Sequence, residues 1–203
     1  MAGLAAGASL PLAAGLGRVL AALAGLLPAE PAAAPDVDEI AALRRREPGA
    51  WDALFEREMP AIYRYAYGSV GNAQEAEDIA GATFAEAWES AGRLEDYGLP
   101  ARAWLFGIAR NIIGGHRRRL FRKPPPLSLE PFDAPDERAR MTPELLDLAR
   151  AIAGLDRAHA EVVVLRFIHG LSLQEAAAVL GTSVDGVKGR QARALVRLRE
   201  QLA

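Results

Sequence analysis

Apolar residues recur every third or fourth position along most of this chain. A period close to 3.6 is the mark of helices that bury one face. From Asp36 onward the pattern predicts helices over about 36–46, 50–69, 73–91 and 101–120, then about 143–153, 157–169, 172–180 and 183–201. Between the two sets lies "KPPPLSLEPFDAPDERARMTP" (123–143), in which six prolines fall between Lys123 and Glu144. A helix cannot run through such a stretch, so it reads as an extended linker. The predicted fold is all-α: two small helical domains, 36–123 and 143–203, joined by a flexible linker at 124–142.

Residues 1–35 follow a different pattern. They are almost all Ala, Gly, Leu and Pro, with Arg18 and Glu30 as the only charges. No Lys or Arg precedes an apolar core as a secretion signal requires. Pro11, Arg18 and several glycines interrupt any run long enough to span a bilayer. The stretch reads as a poorly ordered extension, partly helical near Leu16 to Leu27, with a membrane-surface or partner-binding segment or a mis-called start as the alternatives.

Composition agrees with the helical reading and narrows the chemistry. Ala, Leu, Arg and Glu dominate over β-branched and aromatic residues. With no cysteine, disulfides and thiolate metal sites are excluded. His116, His159 and His169 show no ligand spacing and read as ordinary surface or core residues. No cofactor, metal or small-molecule substrate is implied. The net charge of −2 taken alone argues against nucleic acid, but its distribution argues for it. Residues 101–123 carry seven Arg or Lys and no acid, whereas 72–97 carry seven acids against the single Arg93. A phosphate backbone meets one face, not the average.

The C-terminal pair of helices, "LSLQEAAAVLGTSVDGVKGRQARALVRLRE" (171–200), carries the most specific signal. Ser172 and Glu175 have capping-box spacing, Gly181 supplies a left-handed stop, and Thr182 with Asp185 repeats the cap spacing at the next helix. Two helices on so short a corner have helix-turn-helix geometry. In the second helix Val187, Ala194, Leu198 and Leu202 share one side and are expected in the core. Arg190, Arg193 and Arg197 form a separate stripe, flanked by Gly186 and Gly189. A charged stripe is ordinarily a solvated face. The tight corner, the two caps and the near absence of acids on this helix favour DNA contact instead. Lys188, Arg190 and Arg193 lie in the half a helix-turn-helix aims at base edges, and Arg197 and Arg199 lie where phosphates pass.

In "ARAWLFGIARNIIGGHRRRLFRK" (101–123), Ala101, Trp104, Leu105, Ile108 and Ile112 fall on one face, while Arg102, Phe106, Arg110 and Arg117 lie opposite. Arginine and aromatic side chains together on an exposed face suit single-stranded or melting DNA. The preceding loop "GRLEDYGLP" is punctuated by Gly and Pro and has room for an unstacked base.

Three motifs in order, "AEDIAGATFAEAW" (76–88), "ARAWLFGIARN" (101–111) and "LSLQEAAAVLGTSVDGVKGRQARAL" (171–195), resemble regions 2 and 4 of bacterial RNA polymerase sigma factors of the extracytoplasmic-function class. The resemblance covers about residues 38 to 202. It implies a cytoplasmic subunit that binds the clamp helices of the largest subunit of core RNA polymerase and directs it to promoter DNA. It also implies an anti-sigma factor as a partner. Glu75, Glu77, Asp78, Phe84 and Trp88 match the docking segment. Tyr97, Arg102, Phe106, Arg110, Asn111, Arg117 and Arg118 match the part that melts and reads the downstream element. Lys188, Arg190, Arg193 and Arg197 match the reader of the upstream element. The sequence departs from the family at Gly81-Ala82, where Gln-Glu is usual, and at Gly186 and Gly189 inside the reading helix. Gln191 is a polar residue on that helix's apolar face.

Other classes fit less well. A sigma-like decoy that binds an anti-sigma factor would bring a receiver domain and would not need the basic stripes. A stand-alone helix-turn-helix regulator leaves the Trp104 helix and the acidic helix before it without a role. An enzyme is not expected: Glu75 and Asp78 have metal-pair spacing, but no third ligand and no nucleophile with a base accompany them.

Overall fold

The computed structural model describes residues 37–94, 98–120 and 143–202. The 1–35 extension, Tyr97 and the 124–142 linker lie outside the described residues. Eight α-helices account for nearly everything described: α1 Val37–Arg44, α2 Pro48–Val70, α3 Ala73–Ser90, α4 Ala101–Leu120, α5 Pro143–Ala153, α6 Arg157–Val163, α7 Leu173–Leu180 and α8 Val184–Leu202. A short 3-10 turn, Ala91–Arg93, follows α3, and α6 runs directly into a π turn, Val164–Ile168.

Local chemistry sets the helix ends. Pro48 opens α2, where its missing N–H costs nothing, and Gly71 closes it at φ 71°. Asn72 then caps α3, its side chain accepting from the Glu75 N–H at 3.0 Å. Asp156 does the same for α6 through the His159 N–H.

The first four helices form one group: α2 packs along α3, α4 lies across both, and α1 closes one end. Trp51 in α2 donates its indole N–H to the Leu43 carbonyl at 3.1 Å, tying α1 down. Leu43, Leu54, Ile62, Leu105 and Ile113 fill the core. Burying such a side chain is worth roughly 1.5–3 kcal/mol each. In the second group α8 packs on α5, α6 and α7. Ile152, Val162, Leu165, Leu171 and Val187 are fully or almost fully enclosed there.

The two groups also pack on each other. Helix α4 lies against α7, and its side chains reach Glu161 of α6 and His169 just past the π turn. The face of α4 that reads as exposed in the sequence is therefore the seam between the groups.

Candidate nucleic-acid interface

At the C-terminal corner the capping box is complete. The Glu175 N–H donates to Ser172 Oγ at 3.1 Å, and the Ser172 N–H donates to Glu175 Oε2 at 2.6 Å. Gly181 sits in the left-handed region at φ 62°. Its N–H bonds the Ala178 carbonyl, and the Thr182 N–H reaches back to the Ala177 carbonyl at 3.0 Å. Those two bonds make a Schellman closure, so Thr182 belongs to the end of α7. The cap of α8 falls one residue later than the spacing suggests: Ser183 Oγ accepts from the Gly186 N–H at 3.0 Å.

Along α8, Val187, Ala194 and Leu198 are buried, and Leu202 packs against the same core. Gln191 accepts from Arg166 Nε at 3.2 Å, which gives its polar end a partner. The two glycines play different roles. A methyl at Gly186 would lie 2.7 Å from Thr182 Oγ1, so this glycine lets the corner fold onto the helix. At Gly189 a methyl would meet only the Arg193 guanidinium, at 3.6 Å, so this backbone faces outward.

The basic stripe divides by partner. Arg193 is exposed and Arg190 half-exposed, and neither forms an ion pair among the described residues. Lys188 lies 3.4 Å from its neighbour Asp185, an exposed and weak contact. Arg197 Nη1 donates to Asp156 Oδ2 at 2.7 Å. Asp156 also accepts from the His159 ring, and that hydrogen bond, ahead of the Arg197 charge, holds its carboxyl below the usual range.

On α4 the sequence-predicted residues are placed otherwise than an exposed face would require. Phe106 is 0% exposed and Arg117 3%. The Phe106 ring packs 5.3 Å from Tyr65 and 5.0 Å from His169 of the second group. Arg102 Nη2 donates to the His169 carbonyl at 2.7 Å, while its Nε lies 3.8 Å from buried Glu58. Arg110 Nη2 donates to Glu161 Oε2 at 3.2 Å. Burial, reinforced by Arg64 and Arg102, pushes the His169 ring down to about 3, so it is neutral. Asn111 and Arg118 remain exposed. A helical wheel separates two faces but cannot say that both are covered, and here the second face is covered by α6 and α7.

The acidic helix α3 keeps Glu77 and Asp78 exposed. Glu75 is half-buried, its Oε2 3.0 Å from His116 Nε2 on α4. Phe84 is buried against Phe55, with ring centroids 4.9 Å apart, and Phe55 itself is 46% exposed. Trp88, 43% exposed, stands edge-on to Trp51 at 5.1 Å beneath the Arg46 guanidinium. Arg46 also donates to the carbonyls of Trp88 and Glu89. Phe55, Arg46, Glu58 and Glu161 are participants the sequence reading missed. Only Glu161 carried a signal, as an acid abutting the apolar run Val162 to Leu165.

Comparison with known proteins gives these features a family. The model "Sigma-70 region 2" matches residues 54–122 and "Sigma-70, region 4" matches 151–200. The chain is 31% identical over 162 residues to the ECF RNA polymerase sigma factor BldN of Streptomyces coelicolor, covering 77% of this chain and 61% of that one. It is 32% identical over 151 residues to the ECF RNA polymerase sigma factor SigL of Mycobacterium tuberculosis, covering 72% of this chain and 85% of that one. Among solved structures it resembles CnrH in complex with the cytosolic domain of CnrY, with TM-score 0.58, 31% identity, and 79% and 92% of the two chains covered. It also resembles the sigma factor RpoE in complex with the anti-sigma factor NepR from Bartonella quintana, with TM-score 0.59, 25% identity, and 74% and 95% covered. With both regions matched in order and 32% identity carried over 151 residues, the chain belongs to the extracytoplasmic-function class of RNA polymerase sigma factors.

Proposed function

We propose that this chain binds core RNA polymerase and directs it to a specific class of promoters. The observation that carries this most is the first half of α8, where Arg190 and Arg193 lack ion-pair partners among the described residues on a helix held by a capped corner. That half reads base edges of the upstream element in the major groove, with Lys188 beside it. Arg197 contacts phosphate by exchanging Asp156 for DNA. The division of labour follows the domains: 36–123 docks on polymerase and opens the downstream element, 124–142 links, and 143–203 reads the duplex. Residues 1–35 are an extension to this machinery. The protein acts in the cytoplasm and is not an enzyme in its own right; the chemistry is that of the polymerase.

Docking uses α3. Exposed Glu77 and Asp78 offer charge to a basic coiled coil, with Glu75, Phe84 and Trp88 alongside them, the surface completed by Phe55. Downstream DNA is held by Tyr97, Asn111 and Arg118 together with Arg102, Phe106, Arg110 and Arg117, which the second group covers in this structure. An anti-sigma factor is the expected regulator, as the solved relative RpoE is in complex with one. Glu77→Lys combined with Asp78→Lys tests the docking surface. The pair should leave the helical fold intact and weaken assembly with core polymerase on gel filtration, more so at low salt. Unchanged assembly would place docking elsewhere.

A further inference from the structure

The α4 face proposed to hold melted DNA is not merely buried; it is bound. Three of its functional groups are occupied, by Glu161 of α6 or by His169 just after the π turn. Arg110 is taken by the Glu161 carboxylate at 3.2 Å, the Arg102 guanidinium by the His169 carbonyl at 2.7 Å, and the Phe106 ring by the His169 ring at 5.0 Å. Glu161 is 4% exposed. It also accepts from Arg157 at 2.8 Å, and its charge acts on buried Arg117 as well. One carboxylate therefore serves a cluster of guanidinium groups that exceeds it in charge, and two of those groups come from α4.

A guanidinium fork recognises carboxylate and phosphate by the same planar geometry. The aromatic contact parallels the substitution: the His169 ring packs, tilted, against the Phe106 ring that a base would otherwise meet. The π turn sets this up: the His169 N–H bonds the Val164 carbonyl at 3.0 Å, which brings the ring and carbonyl of His169 to α4. We infer that Glu161 and His169 form an internal surrogate for single-stranded DNA. The surrogate latches the second domain over the melting face of the first until nucleic acid, as phosphate and base, displaces it.

The inference rests on the reading of α4 as a DNA-binding face, and its test separates the two. The chain has no cysteine, so Ala85→Cys on α3 and Ala192→Cys on α8, both exposed, allow a spin-label distance to be measured across the seam in the full chain. Glu161→Gln and Arg110→Gln each break the cross-domain pair from opposite sides. Arg157→Gln removes only the partner of Glu161 on its own helix. Circular dichroism melts confirm that each variant is folded.

The latch predicts a single short distance in the parent. It predicts a broad, longer distribution in both cross-seam variants and a parental distribution in Arg157→Gln. It further predicts that a 12-nucleotide single strand binds Glu161→Gln about tenfold more tightly than the parent, because the open fraction is no longer limiting. Addition of that strand to the parent should itself lengthen the distance. Parental distances in both cross-seam variants, or a strand that binds the parent without opening it, would overturn the latch. Opening by mutation with no gain in strand affinity would retain the seam contact but overturn the surrogate. If instead neither the parent nor Glu161→Gln supports transcription with core polymerase while the distances behave as stated, it is the sigma reading that fails.

Discussion

Arg190 and Arg193 stand without an ion-pair partner among the described residues on the outward side of α8, while Arg197, one or two turns on, is already held by Asp156. That difference supports the separate roles proposed for them. Base contacts carry sequence information and phosphate contacts do not. Arg190→Ala or Arg193→Ala should cost about 1–3 kcal/mol on the true upstream element and relax discrimination at one or two base pairs. Arg197→Ala should weaken every sequence alike and lower the salt slope by about one unit. Titrating the chain against single-base-pair variants of the element reads both. Equal losses for all three substitutions would make the stripe a phosphate clamp.

His169 gives the residue scale a pH signature. Above its ordinary value of 6.5 the ring is neutral whether buried or released, and it adds no pH dependence. Below 6.5 the released ring takes a proton that the buried one, held near 3, refuses. Stability therefore falls as pH drops from 6.5 toward 3, by about 2 kcal/mol at pH 5 from this group alone. Denaturation of the parent and of His169→Gln at pH 7 and pH 5 should show the smaller loss in the variant. Equal losses would mean that the ring is not protected.

At the scale of elements, α8 carries two glycines that weaken it by roughly 1 kcal/mol each against alanine. The structure separates them. Gly189→Ala adds a methyl with only the Arg193 guanidinium nearby, so it should stabilise the helix by up to about 1 kcal/mol. Gly186→Ala drives a methyl toward Thr182 Oγ1 and should recover less of that, or none. Thermal melts of both variants check the order. If DNA backbone approaches Gly189, the same alanine that stabilises the chain should lower its DNA affinity.

Most of the helices were legible because an amphipathic period and a cap are local signals. The pattern places α4 over 101–120 and α5 over 143–153, where the structure has them. The start of α8 was one residue off because a Schellman closure claims the Thr182 backbone, and two adjacent hydroxyls look alike in a spacing rule. The face of α4 was not legible at all. Arg110 meets an acid 51 residues away and Arg102 a carbonyl 67 residues away, and no periodicity within one helix reports a partner at that distance. The same holds for Glu75, whose partner His116 lies 41 residues on. Glu161 was the one visible clue, because an acid beside Val162, Val163 and Val164 is expensive to bury unless something charged meets it.

At the scale of the whole molecule, two surfaces face outward and one faces inward. Acidic residues of helix α3 and the first half of α8 are exposed, while the α4 face is folded against α6 and α7. With the proposed roles, a molecule so arranged is expected to meet duplex DNA and polymerase before it meets a single strand, which is the order that promoter opening requires. As proposed, this chain confers promoter specificity on a polymerase that lacks it. Run-off transcription tests that directly, using purified core RNA polymerase with and without the full chain on a library of promoter fragments. Discrete transcripts are expected from a small subset of templates sharing upstream and downstream elements, only when the chain is present, and lost or redistributed with Arg190→Ala. Transcription no different from core polymerase alone on every template, with a folded chain that assembles with core, would contradict the proposal.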